Sequence, residues 1–156
     1  MNLPALYIGR FQPFHLGHLD AVMQIAKRES KVIIAIGSAE DFRTLENPWT
    51  ASERYQMIES ALRDAGIKRS QYVIIPVRDI HNNEKWVAHV ARLLPKFRHV
   101  YTGSVDVKKI FVQAGYEVRG IKKNLRISGT AVREKILSGK NWEKFVPNAV
   151  KKLVSQ

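Results

Sequence analysis

Two spacings of apolar residues alternate along the chain. Short apolar, β-branched runs at residues 3–8, 32–36, 72–77 and 100–102, with a weaker one at 116–118, read as strands. Between them apolar residues recur at helical spacing, as in Leu19, Val22, Met23, Ile25 and Ala26, or Tyr55, Met57, Ile58, Ala61 and Leu62. Strands separated by helices imply a parallel sheet covered on both faces. The pattern predicts one α/β domain spanning residues 1–156, a Rossmann-like doubly wound parallel sheet with closing C-terminal helices. In such a sheet the site belongs at the carboxyl ends of the strands, where the loops meet at the topological switch point.

The loops carry the chemistry. In Gly9-Arg-Phe-Gln-Pro-Phe-His-Leu-Gly-His18 the first strand stops at Gly9, and an amphipathic helix is expected just after His18. Gly9 permits close backbone approach, Pro13 stiffens the loop, and Gly17 leaves room at the helix entrance. Free N–H groups and the dipole of a helix N-terminus attract anions. With His15 and His18 at that entrance and Arg10 on the strand side, the junction reads as a phosphate site. A second junction, Ile127-Ser-Gly-Thr-Ala-Val-Arg133, opens a helix with Val132, Ile136 and Leu137 on its inner side. There Ser128 and Thr130 offer hydroxyls, and Arg133 can form a forked pair with phosphate oxygens. The polar connector 37–50 is too long for a minimal turn and is a candidate binding loop. It ends in Thr50-Ala-Ser-Glu53, a capping box, and Arg43 is its only cation able to reach a phosphate.

Composition narrows the function. A chain of 156 residues with 45% hydrophobic content can bury one substantial core. The absence of cysteine excludes disulfides, thiolate metal sites and cysteine nucleophiles. No signal-peptide pattern and no apolar run near the ~20 residues of a membrane span are visible, so no membrane partner is expected and a cytoplasmic protein is. The formal charge of +12 is uneven: residues 1–91 hold 11 basic and 10 acidic side chains, residues 92–156 hold 15 and 4. A basic half attracts polyanions such as nucleoside triphosphates or nucleic acid, and charge alone does not choose between them.

The two junctions together resemble the HxGH and SxTxxR signatures of the nucleotidyltransferase superfamily, in the wording of archaeal-type nicotinamide mononucleotide adenylyltransferases, and the resemblance covers essentially the whole chain. Residues 46–54, Glu-Asn-Pro-Trp-Thr-Ala-Ser-Glu-Arg, are also similar to a stretch of that family. Its Asp-Ile-x-x-Asn-x-x-Trp stretch is matched here by Asp79, Ile80, Asn83 and Trp86. The resemblance implies a nicotinamide pocket in which Trp86 stacks on the ring, while Asn83 and the backbone near Ile80 bind the carboxamide. Helical spacing alone would instead place Trp86 in the core with Val87, Val90, Leu93 and Leu94. The resemblance further implies His15, His18 and Arg133 as catalytic residues. It makes Gly9, Arg10, Phe11, Ser128 and Thr130 nucleotide-phosphate contacts, and brings the corner at Gly103 against the adenine. Arg43 joins the acceptor nucleotide in this reading. His81, His89 and His99 are read as structural.

The implied reaction is attack of a nicotinamide mononucleotide phosphate oxygen on the α-phosphorus of ATP, giving NAD and pyrophosphate, with nicotinic acid mononucleotide as a second acceptor. Mg²⁺ would accompany ATP, with no protein side chain ligating it. Beside a triphosphate the histidines are expected to be protonated. The resemblance also implies a homo-oligomer and no specific nucleic acid. Transfer to pantetheine phosphate or a flavin nucleotide is an alternative on the same fold, and a basic RNA-binding module is another. One stretch departs from the family: residues 119–127, Arg-Gly-Ile-Lys-Lys-Asn-Leu-Arg-Ile, are basic where relatives carry prolines and an aromatic. This predicts a flexible segment whose Lys122, Lys123 and Arg126 meet the incoming triphosphate.

Overall fold

A computed structural model describes residues 2–155. Five parallel strands, β1 (Ala5–Gly9), β2 (Val32–Ile36), β3 (Tyr72–Pro76), β4 (Val100–Tyr101) and β5 (Val118–Arg119), form one sheet in the order β3-β2-β1-β4-β5. The order reverses between β1 and β4, so the crevice beyond their carboxyl ends is the switch point. Six helices cover the sheet: α1 (Leu16–Arg28), α2 (Ala51–Asp64), α3 (Asn83–Leu93), α4 (Val105–Gln113), α5 (Gly129–Leu137) and α6 (Asn148–Val154).

Side-chain alternation along the strands divides the core in two. Ala5 and Tyr7 of β1, with Ile34 and Ile36 of β2, pack against Val22 and Ile25 of α1, Met57 and Ile58 of α2, Val132 of α5 and Val150 of α6. Leu6, Ile8, Ile33 and Ala35 point to the other face, where α3 and α4 supply Val87, Val90 and Phe111. Both faces are dry, which is why β1 and β2 read as continuous apolar runs.

Strands β1, β3 and β4 shift by a residue or two from the apolar runs, and two further boundaries differ from the sequence reading. Helix α1 begins at Leu16, two residues before His18, because the His15 side chain caps it. Strand β5 lies slightly later than the weak apolar run at 116–118. The capping box at α2 forms as expected: Glu53 N–H donates to Thr50 Oγ1 at 3.0 Å, and Thr50 N–H donates to Glu53 Oε1 at 3.1 Å.

Candidate active site

A cavity of about 1160 Å³ lies at the switch point. Gly9, Arg10, His15 and His18 form part of its wall, with Asn83 and Trp86, Gly103, and Ser128 contributed by later segments. Four non-glycine residues, Phe11, Ser38, Arg43 and His81, hold left-handed backbone conformations (φ 47 to 57) in the loops after β1, β2 and β3. Strain of this kind needs surrounding structure to hold it, and here it gathers at the carboxyl edge of the sheet.

The two histidines are held reciprocally. His15 Nδ1 accepts from the backbone N–H of Gly17 at 3.1 Å and of His18 at 3.3 Å, and His18 Nδ1 accepts from His15 N–H at 3.1 Å. An imidazole that accepts through Nδ1 carries its proton on Nε2, so both rings are neutral Nε2–H donors. The rings stack with centroids 3.6 Å apart, and Phe11 and Phe14 pack on His18. Burial lowers the His15 pKa to about 4, and burial followed by the neighbouring His15 holds His18 well below its usual value. The pair is therefore uncharged at neutral pH, and the protonation expected beside a triphosphate would have to overcome that burial. Charging either ring on Nδ1 would also remove the cap of α1. Gly17 is required by the same arrangement: a Cβ there would sit 2.9 Å from His15 Cε1, which folds back over it.

Behind the histidines, Arg54 of α2 is fully buried. Its Nε donates to Thr50 O at 3.2 Å, and its Nη1 to Arg10 O and Gly37 O, both at 2.9 Å. Nη2 donates to Ser38 O at 3.1 Å and Asp41 O at 3.3 Å. One guanidinium thus ties the loops after β1 and β2 to the start of α2. Burial lowers its pKa to about 10, which leaves it charged at neutral pH. Gln12 makes a second tie, its amide donating to Trp49 O and accepting from Trp49 N–H, each at 3.0 Å.

The remaining residues singled out in the sequence fall into two groups. Ser128 lines the cavity and caps α5, its Oγ accepting from Ala131 N–H at 3.1 Å. Gly103 faces open space, where a ligand could approach the backbone. Trp86 is half-buried, edge-on to Phe111 at 5.6 Å on its core side while also lining the cavity. Phe11 is instead a core ring, 1% exposed, and does not line the cavity. Arg133 donates to Gln12 O at 2.8 Å and to Thr130 Oγ1 at 3.2 Å, so both groups are engaged with protein rather than turned to the cavity. Burial and then the charge of Arg10 lower the Arg133 pKa. Gly129 makes that reach feasible, since a Cβ there would lie 3.0 Å from Arg133 Nη1 and 3.3 Å from Gln12 O.

Arg43 lies off the cavity wall. Its Nη1 binds Glu53 Oε1 at 2.7 Å and Pro48 O at 2.9 Å, bracing its own loop. Ile80 is also outside the wall, 38% exposed, while its neighbours Asp79 and His81 line it. His81 thus belongs to the cavity, 3.7 Å from Asp79 Oδ2 and 3.8 Å from Glu40 Oε2. His89 donates from Nε2 to Arg78 O at 2.9 Å, and His99 is buried against Glu29 and Tyr101. Arg54 and Gln12 are the supporting residues missed in the sequence. Their signals were an arginine directly after a capping box and a glutamine before proline inside the first motif.

A helix N-terminus carrying paired imidazoles at the switch point of a five-stranded Rossmann-like sheet defines a nucleotidyltransferase architecture. Residues 6–135 match the cytidylyltransferase-like family, to which the chain belongs. Within it, the chain is a member of the nicotinamide-nucleotide adenylyltransferase family. It is 42% identical over 154 residues to the nicotinamide-nucleotide adenylyltransferase of Picrophilus torridus, covering 97% of this chain and 90% of the relative. It is 46% identical over 153 residues to that of Pyrobaculum aerophilum, covering 96% and 86%. Among solved structures, a bifunctional NMN adenylyltransferase/ADP ribose pyrophosphatase from Francisella tularensis superposes with a TM-score of 0.82 at 27% identity over 99% of this chain. The chain spans about half of that protein, 49%. The same enzyme complexed with AMP and manganese superposes with a TM-score of 0.77 at 26% identity, covering 99% of this chain and 52% of that one.

Proposed function

We propose that the chain transfers the adenylyl group of ATP to nicotinamide mononucleotide, forming NAD and pyrophosphate. The observation that carries this reading is a single cavity holding two fixed imidazole donors at one helix N-terminus together with the half-buried Trp86 and Asn83. A phosphate monoester is already an anion near neutral pH, its second pKa being about 6, so the nucleophile needs no side-chain base. Its oxygen bonds to the α-phosphorus as the bond from that phosphorus to the oxygen bridging toward the β-phosphate breaks, and the electron pair leaves with pyrophosphate.

The protein supplies in-line positioning and compensation for charge on the bridging and leaving oxygens. The Nε2–H groups of His15 and His18 and the cation of Arg10 suit that work. Arg133 joins them when phosphate competes for the guanidinium now held by Gln12 O and Thr130. Among the described residues no three His, Cys, Asp or Glu side chains group to hold a metal ion. Mg²⁺ would accompany ATP in this reading, its oxygen ligands supplied by the ATP phosphates. A cytoplasmic homo-oligomer completes the reading, checked by light scattering and cell fractionation. No described helix is long and apolar enough to cross a membrane.

The test is pyrophosphate release from ATP and Mg²⁺ with nicotinamide mononucleotide, nicotinic acid mononucleotide, flavin mononucleotide and phosphopantetheine offered separately. Release with the nicotinamide substrate and equal NAD formation is expected. Release only with another acceptor would sink the assignment of the Trp86 pocket, and none with any acceptor would favour a binding module. Trp86→Ala should raise KM for nicotinamide mononucleotide about tenfold, the loss of one aromatic stacking contact. KM for ATP should stay within about twofold of wild type; an equal rise in both would make the ring a core residue only.

A further inference from the structure

The segment 120–127 has no regular secondary structure, yet it is not loose. It runs antiparallel to α1 and is fastened to it about once per helical turn. Arg28 Nη1 donates to Gly120 O at 3.1 Å. The Gln24 amide donates to Lys122 O at 2.7 Å and accepts Lys122 N–H at 3.0 Å. Asn124 Nδ2 donates to Asp20 Oδ2 at 3.1 Å, and Ile127 Cβ lies 3.8 Å from a Cβ built on Gly17. Residues 28, 24, 20 and 17 form one stripe down the helix, so the strap climbs from the far end of α1 to the entrance where His15 and His18 sit.

This register corrects the expected flexibility and decides where the cations go. Lys122, Lys123 and Arg126 are exposed on the strap and line the cavity, and Arg126 falls between the Asp20 and Gly17 levels, beside the α1 N-terminus. Among the described residues none of their charged heads has a hydrogen-bond or ion-pair partner, whereas Asp20, the carboxylate on the same stripe, already accepts from Gln24 and Asn124. A fixed backbone presenting unpaired cations along a helix whose N-terminus attracts anions is built to take a polyphosphate. We infer that the strap is a third phosphate-binding wall, holding the β- and γ-phosphates of the nucleotide and then the pyrophosphate product. The inference rests on the adenylyl-transfer reading above and extends it to residues that depart from the family pattern.

The test is the triple variant Lys122→Gln/Lys123→Gln/Arg126→Gln, exposed positions whose change leaves the core untouched. KM for ATP should rise about tenfold, the equivalent of one charge-assisted contact, with KM for nicotinamide mononucleotide within about twofold. Binding of inorganic pyrophosphate, titrated calorimetrically without substrates, should weaken about as much. Gln24→Leu, which unfastens the strap without removing a charge, should weaken pyrophosphate binding in the same direction. Unchanged pyrophosphate affinity in the triple variant, or a rise confined to KM for nicotinamide mononucleotide, would overturn the assignment. A wild-type protein that binds pyrophosphate but transfers no adenylyl group would sink the reaction while leaving the strap's role standing.

Discussion

Replacing Arg54 by methionine is expected to destabilise the protein by on the order of 3–5 kcal/mol, read as a lowered urea midpoint with an unchanged slope. The side chain is fully buried, and its N–H groups serve the carbonyls of Arg10, Gly37, Ser38, Asp41 and Thr50. Methionine fills much of the volume but leaves those carbonyls without that donor, and an unpaired buried acceptor costs about 1–3 kcal/mol. Arg54→Lys separates charge from geometry. An ammonium keeps the positive charge but offers three donors from one point instead of a planar fork, so about 2 kcal/mol should still be lost. Four of the tethered carbonyls belong to residues that line the cavity, Arg10, Gly37, Ser38 and Asp41. The lysine variant, assayed where it is fully folded, should therefore show a raised KM for ATP as well. Wild-type stability and KM in that variant would mean the five bonds are incidental.

The α/β alternation was legible because a parallel sheet buried on both faces leaves continuous apolar runs, as in β2, where every residue is buried. That both motifs open helices at the cavity edge was legible from their glycines and capping side chains, His15 and Ser128. What stayed hidden depended on distance through space. Arg43 looked available because it is the only cation of its loop, but Glu53, ten residues later, claims it. Arg133 looked free to grip phosphate, and only the fold brings Gln12 O within 2.8 Å of it. Phe11 sat inside a phosphate motif, yet its ring joins Tyr7, Phe14 and His18 in the core. The basic strap read as flexible because its fastenings are side chains of α1, more than ninety positions away in sequence.

Exchange of His15 for asparagine should divide the two duties of that ring. Asparagine is a favoured N-cap, so its carbonyl oxygen can take over the Gly17 and His18 amides, and stability at neutral pH should change by no more than about 1 kcal/mol. It cannot reproduce the Nε2–H donor, so turnover should fall about 10²- to 10³-fold with little change in KM for ATP. His18→Ala should likewise depress turnover far more than nucleotide affinity. The pH dependence follows from the neutral state of the pair. Unfolded histidines titrate near pH 6.5, whereas His15 in the folded chain titrates at about 4 and His18 is also held low. Between those limits the unfolded chain binds more protons. The stability is therefore full above about pH 6.5 and is lost as pH falls toward 4. His15→Asn should flatten that acid loss, by up to about 3 kcal/mol. Turnover should show no transition near pH 6.5 from this pair. A step there that disappears in the asparagine variant would make imidazolium the working form, and that form would have to break the hydrogen bonds that start α1.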